Sequence, residues 1–517
     1  MFLEIRGAKK MGKILIGWAE ESLVPDKKVS LAGQFFERIS EYVESEITAT
    51  AIALEADGDA MIIVSLDMEG FPKQLVDLAR EKFSKLTDKV DSKKLIIAAT
   101  HAHTAMKIAG RGSAKSKSGE QVHPTVKILE EFLPKDKMYV ANITADETVM
   151  TPEEGTELVT NKIAIAAKRA WDNRKPAYYA NEFGRAAVGM CRRVSYDDGT
   201  AEMWGDTNTA NFVSLEGGND SGIELIYTFD ENKKITGIVA NIACPAQILE
   251  QRSVISADYW GRTKANLRKK FGSDIYLLGL CGAAGDQCPR DLVRWVNPET
   301  PIDDPNVKRP NLLKRKADPS MYDISGCNRV GKRIANEIIS VYEEIEELKN
   351  EAVFKHEVIE LDLPLRKVTK SDYNNAVREI EYYIEKNKDK PVFGYEDNAK
   401  LHVYGGIIDR FRTQQKTEVV PIEYHVIRFG DVAITTNPFE LFLDYGNRIK
   451  ARSYAEQTFI IQLCCGGLGY LPTEKAEKAG HYSAYVSSGK VGHEGGDLLV
   501  RETLTRINDM WSETNED

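Results

Sequence analysis

Five stretches of this chain place chemically capable side chains directly after short runs of β-branched and apolar residues, and a sixth adds a pair of cations. Thr100-His101-Ala102-His103-Thr104 is the first. Alternate side chains of extended backbone share a face, so His101 and His103 can point at one site. There they can serve as metal ligands or as acid and base near neutral pH. A pair of hydrogen-bonding histidines is the plainer alternative. Two of the chain's eight histidines sit here.

Cys281-Gly282-Ala283-Ala284-Gly285-Asp286-Gln287-Cys288-Pro289-Arg290 is the second. Its small residues allow a sharp turn and close approach to a ligand. Cys288 is a candidate nucleophile or metal ligand, or else an inert buried thiol. Asn437-Pro438-Phe439-Glu440 is the third. Glu440 can bind a metal or act as a base, but an N-cap, proline and glutamate at this spacing also read as a helix start, and spacing alone favours the cap. Cys464-Cys465-Gly466-Gly467-Leu468-Gly469-Tyr470 adds a phenol. Asn241 to Gln247, with Ser256-Ala257-Asp258-Tyr259, adds Gln247 and Asp258. Arg192-Arg193 supplies a fixed cation for an oxyanion, or a solvated pair.

The elements that must position these groups are six apolar runs: Ala60 to Ser65, Leu95 to Thr100, Gly237 to Asn241, Ile275 to Leu280, Val432 to Thr436 and Phe459 to Leu463. Such runs read as strands buried on both faces. Helical patterns lie between or after them, at Lys73 to Leu86, Trp260 to Phe271, Val330 to Leu348 and Phe439 to Arg452. Strand and helix alternate, which predicts an α/β fold, a large mixed β-sheet sandwich with helices outside. Ligands of open α/β sheets bind beyond the carboxyl ends of the strands, where these motifs lie. Insertions are expected near 297–319 and 371–415, the latter with a charged helix from Ser371 to Lys388. No internal repeat is evident, and a single catalytic-type domain is the simplest organisation.

The 517 residues are 42% apolar and 29% charged, with a net charge of −10. This composition excludes wholesale disorder and argues against a nucleic-acid binder. No apolar run approaches the roughly 18 residues of a membrane helix, and the start lacks a secretory pattern. A cytoplasmic protein is expected, without stable membrane insertion and with a small-molecule substrate. The seven cysteines contain no CxxC pair, so neither a disulfide framework nor a zinc ribbon is indicated. No HExxH, Walker A, GxSxG or GxGxxG element falls in a fitting context.

Taken in order, the segments resemble the neutral (non-lysosomal) ceramidase family. The resemblance rests on Thr100-His101-Ala102-His103, Asn241 to Cys244, Ser256-Ala257-Asp258-Tyr259, Gly285-Asp286-Gln287-Cys288-Pro289, Pro438-Phe439-Glu440 and Gly469-Tyr470-Leu471-Pro472-Thr473. It spans from about residue 10 to the C-terminus and implies the catalytic domain without the immunoglobulin-like domain of secreted members. It further implies hydrolysis of an amide at a zinc ion held by His101, Glu440 and Tyr470. His103 would be acid/base, and Arg192 rather than Arg193 the oxyanion-side cation. The family's second histidine ligand is replaced by Pro245, and its loop serine by Cys288. Cys288 is therefore either a substitute ligand or a nucleophile with His103 as base.

The catalytic set expected is Cys288, His103, Arg192 and Asp286, with Arg193, Gln247, Asp258 and Tyr482 contacting substrate and His481 and His493 as outer candidates. The expected reaction is hydrolysis of a carbon–nitrogen amide, with a small polar amide or sugar derivative favoured over ceramide. The alternative is a small-molecule or carbohydrate-binding protein that kept the fold and lost the zinc site.

Overall fold

All six apolar runs form strands in the computed structural model, which describes residues 12–34, 36–109, 114–115, 121–122, 124–140, 147–293 and 323–512. They are the last two strands of a unit that the chain builds three times. The first unit has β1 (Leu15–Ser22), β2 (Thr48–Ala56), β3 (Asp59–Leu66) and β4 (Leu95–Ala99). The second has β5 (Tyr178–Arg185), β6 (Gly222–Phe229), β7 (Ile235–Ile242) and β8 (Tyr276–Cys281). The third has β9 (Phe354–Pro364), β10 (Val419–Phe429), β11 (Val432–Thr436) and β12 (Gln457–Ile461).

In each unit the first three strands pair antiparallel and the fourth lies parallel to the third. A parallel neighbour needs a crossover. The crossover helices are α1 (Lys73–Leu86), then α3 (Asp258–Phe271) and α5 (Leu443–Lys450). A further helix follows each fourth strand: α2 (Pro152–Asp172), α4 (Asp323–Glu343) and α6 (His493–Ser512). Local sequence supports these elements. Leu75, Val76, Ala79 and Phe83 form the buried stripe of α1, and Phe83 alone contributes roughly 1.5–3 kcal/mol by leaving water. Thr151 and Glu154 close a capping box at the start of α2, with Pro152 as its first residue.

The α/β class is as expected, with the large mixed sheet divided into three mixed sheets of four or five strands and smaller sheets beside them. The sheets meet through their parallel strands, by Ser65 Oγ donating to the Gly279 carbonyl (2.5 Å) and Asn241 Nδ2 donating to the Ile460 carbonyl (3.0 Å). Gln462 N–H likewise donates to the Cys281 carbonyl (3.0 Å). The threefold repetition corrects the expectation of no repeat. It lies in strand order and direction, which backbone pairing preserves while side chains diverge.

The expected helix start at Asn437 is also corrected. Asn437 Oδ1 does accept from the Phe439 N–H (3.1 Å). However, Glu440–Leu441 then pairs in parallel with Tyr470–Leu471, and the helix begins only at Leu443. The strand pairing outweighs the local cap. The 371–415 insertion holds two helices, Lys370–Lys386 and Tyr395–Thr413, which pack with Pro124–Phe132 in a small core of their own. The 297–319 insertion lies outside the described residues. Among the described residues, no helix is long and apolar enough to cross a membrane.

Candidate active site

The chain beyond β4 turns towards the loop after its parallel neighbour β3. Thr100 N–H donates to the Leu66 carbonyl (2.9 Å) and Ala102 N–H to that of Met68 (3.0 Å). Between them His101 takes a left-handed conformation, φ 63°, which costs a non-glycine residue energy and marks a constrained position. This sets His101 Nδ1 2.5 Å from the Glu69 carbonyl. A carbonyl only accepts, so Nδ1 carries the hydrogen and Nε2 offers its lone pair. That lone pair faces Glu440 Oε2 at 3.5 Å and His103 Nε2 at 3.2 Å.

The neighbouring His103 is fixed by packing. Gly33 passes it at φ 90°, and a Cβ there would lie 2.5 Å from the imidazole Cγ. His103 Nδ1 is 3.3 Å from Glu250 Oε2, and Glu250 Oε1 is 3.8 Å from Arg290. Burial pushes the His103 ring below its ordinary pKa, against the pull of Glu250. Burial pushes Glu250 up, but the hydrogen bond from His103 and the charge of Arg290 hold its carboxyl below the usual range. A neutral imidazole beside an ionised carboxylate results.

The third unit adds a carboxylate and a phenol. Parallel pairing sets Glu440 against Tyr470, whose hydroxyl bonds the carboxylate and accepts from Arg192 Nη2 at 3.2 Å. Burial, then the Glu440 charge, keeps the phenol protonated. Arg192 Nη2 also donates to the Gly285 carbonyl (2.9 Å), and Nη1 lies 3.5 Å from Gln247 Oε1. Gly285 is required here, because a Cβ would lie 2.3 Å from the Glu440 carbonyl oxygen. His101, His103, Glu440, Tyr470, Arg192 and Gln247 thus form one contiguous group at the strand ends of all three units. The ring of Tyr482 packs edge-on against Tyr470, centroids 5.5 Å apart.

Other expected residues take different places. Arg193 is wholly buried and donates to both Glu216 oxygens (2.5 and 3.0 Å), to the carbonyls of Tyr482 and Gly480, and to Ser483 Oγ. It clamps loops and has no group to spare for a substrate. Asp286 Oδ1 accepts from the Leu443 N–H that opens α5 (2.9 Å), and burial pushes its carboxyl up to about 6. Cys288 Sγ donates to the Arg290 carbonyl (3.3 Å) and, among the described residues, does not bond His103. Burial pushes this thiol up to about 12, so it is not a thiolate at neutral pH. His481 accepts from the Met203 N–H (3.0 Å), and His493 lies 2.9 Å from Glu477; both stand apart from the group.

Asp258 ties the Leu249 and Tyr259 N–H groups together (2.7 Å each), and burial pushes its carboxyl up to about 7. The raised folded-state pKa means that stability from the protonated form is lost as pH rises from about 4 through about 7. The expected loss from this group approaches about 4 kcal/mol, at about 1.4 kcal/mol per pH unit. Urea denaturation at pH 4.5 and pH 8 should show a pH-dependent loss that Asp258→Asn reduces. An unchanged difference would remove Asp258 as its source.

Sequence reasoning missed Glu250, Gly33 and the Glu69 carbonyl. Glu250 stands only three residues after Gln247, in a segment already singled out, whereas Gly33 and Glu69 carry no local signal. Among the described residues, one trio of His, Cys, Asp or Glu brings its ligand atoms within 4.8 Å of one another, and it lies outside this group: Glu423, His425 and Cys465.

No protein-family model matches the chain, and no curated protein matches its sequence. Solved structures do match. The neutral ceramidase from Pseudomonas aeruginosa superimposes with a TM-score of 0.63 at 13% identity, covering 96% of this chain and 74% of that one. A ceramidase complexed with C2 gives a TM-score of 0.64 at 12% identity, covering 97% and 76%. The chain has the neutral ceramidase fold.

Proposed function

We propose that this protein hydrolyses a carbon–nitrogen amide bond of a small molecule. The observation that carries the reading is the Glu250–His103 pair, which sets a neutral imidazole beside the Arg192–Tyr470–Glu440–His101 cluster in a ceramidase fold. His103 Nε2 takes a proton from the attacking water, and Glu250 stabilises the imidazolium formed. Arg192 and the Tyr470 hydroxyl are the donors for the negative charge that grows on the carbonyl oxygen. His103 then returns the proton to the leaving nitrogen, so amide and water become carboxylic acid and amine, which exchange a proton to leave as carboxylate and ammonium. The pocket also fits a metal ion: His101 turns a fixed lone pair towards the Glu440 carboxylate, and Tyr470 bonds the same carboxylate. These three residues would hold zinc, which when bound polarises a carbonyl and acidifies water. Pro245 cannot provide the family's further imidazole.

Water is favoured over Cys288 as the nucleophile because burial keeps that sulfur protonated. The test is a panel of small amides with the unmodified chain and Cys288→Ser. Turnover should survive the substitution, with kcat/KM within about threefold, since no nucleophile is lost. A loss above about 100-fold would transfer the nucleophile to sulfur. Saturable binding with no turnover of any amide would favour the binding-protein alternative.

A further inference from the structure

The pair Cys464-Cys465 plays no part in the pocket, yet Cys465 stands at the centre of the second polar cluster. Its backbone is held at φ 54°, with its N–H on the Ile97 carbonyl of β4 (2.8 Å). Cys465 Sγ lies 3.5 Å from His425 Nε2. The same nitrogen lies 3.2 Å from Glu423 Oε1. Glu423 and His425 are two residues apart on β10 and therefore share a face. Cys465 and His425 are both buried, and the Glu423 side chain is only 10% exposed.

Hydrogen positions follow from a single carbonyl. His356 Nδ1 lies 3.0 Å from the Ala60 carbonyl, so it carries the hydrogen and leaves His356 Nε2 as an acceptor. That acceptor lies 2.9 Å from His425 Nδ1, which must therefore donate. His425 Nε2 is left with its lone pair directed at a carboxylate oxygen and a sulfur. Arg80 Nη2 reaches both anionic atoms from one side, 2.8 Å from Glu423 Oε1 and 3.6 Å from Cys465 Sγ, but the His425 lone pair facing them still calls for a proton or a metal ion. A proton on Nε2 can point at only one acceptor, and charge-assisted N–H···O bonds close to about 2.7–2.9 Å. The contacts here are 3.2 and 3.5 Å. Tetrahedral zinc, with bonds of about 2.0 Å to nitrogen or oxygen and about 2.3 Å to sulfur, separates its donors by about 3.3 Å (N–O) and about 3.5 Å (N–S).

We infer that Cys465, His425 and Glu423 form a second metal site, distinct from the His101–Glu440–Tyr470 pocket and suited to a borderline-soft divalent ion such as zinc. A sulfur, an imidazole and one carboxylate select such an ion over magnesium or calcium. His356 orients the ligand imidazole through the His425 Nδ1–H, a role usual around bound zinc. Arg80 bonds both Glu423 oxygens (3.0 and 2.8 Å) and approaches the sulfur at 3.6 Å, so it buttresses the two anionic ligands from α1. Lys73, 3.6 Å from Glu423, completes the surrounding charge.

Cobalt(II) titration of chelator-treated full-length protein tests the site, read by the thiolate-to-cobalt charge-transfer band. The band is expected in the unmodified chain. It should persist in His101→Ala, Glu440→Gln, Cys288→Ser and Cys464→Ser, and vanish in Cys465→Ser. His356→Gln should keep the band with affinity about 10–100-fold weaker, and it carries the test alone if Cys465→Ser does not fold. No band in the unmodified chain would overturn the site and leave a proton on His425. A band surviving Cys465→Ser, or lost in Cys288→Ser, or an unweakened His356→Gln would overturn it equally. The outcome is independent of amide turnover, which probes the other pocket.

Discussion

Replacing His103 with alanine should lower amide turnover by about 10²–10⁴-fold, the range for removal of a positioned general base. His103 has a carboxylate behind it (Glu250, 3.3 Å) and its Nε2 lies 3.2 Å from His101, at the edge of the cluster. The sign of the pH dependence follows from burial. His103 is held below its ordinary pKa of 6.5, so the active neutral form prevails at pH 7 and kcat/KM falls only as pH drops below that value. Glu250→Gln removes the carboxylate that most favours the imidazolium, so the acid limb should move lower still while kcat falls. Circular dichroism at matched temperatures separates loss of fold from loss of base. Turnover of His103→Ala within tenfold of the unmodified chain would leave the ring without the role assigned to it.

The largest stability effect is expected at the neighbouring arginine. Arg193→Ala should cost about 3–5 kcal/mol, because it strands a buried carboxylate. Glu216 is 5% exposed and loses both guanidinium bonds. The carbonyls of Tyr482 and Gly480 lose donors in the same change. Chemical denaturation measures the loss. The double variant with Glu216→Ala should cost less than the sum of the two single changes, because the pair acts as one unit. A cost of Arg193→Ala below about 1 kcal/mol would mean that the clamp does not hold the 480–483 loop. Arg192 and Arg193 thus separate, one serving the pocket and one the scaffold, because adjacent residues of an extended segment face opposite ways.

The strands legible in the sequence were those buried on both faces. Parallel strands such as β4, and β12 from Phe459 onward, carry only apolar side chains and stand out as unbroken runs. The antiparallel outer strands did not stand out: β9 mixes buried and half-exposed positions along FKHEVIELDLP, and β6 is fully buried yet interrupted by Glu224 and Thr228. The helix over Lys73–Leu86 was legible to the residue, since its apolar spacing is a local property.

By itself the sequence determined that polar, proton-active residues follow apolar strands, because strand burial and glycine-rich turns are encoded within a few residues. His101, His103 and Tyr470 were recoverable on that basis. Only the tertiary structure decided that Glu440 pairs as a strand beside Tyr470 instead of capping a helix, that Glu250 stands behind His103, and that Cys465 meets His425 and Glu423. Those outcomes depend on pairing and burial between segments far apart in the chain. The free energy of such contacts exceeds the few tenths to one kcal/mol that local caps and propensities provide.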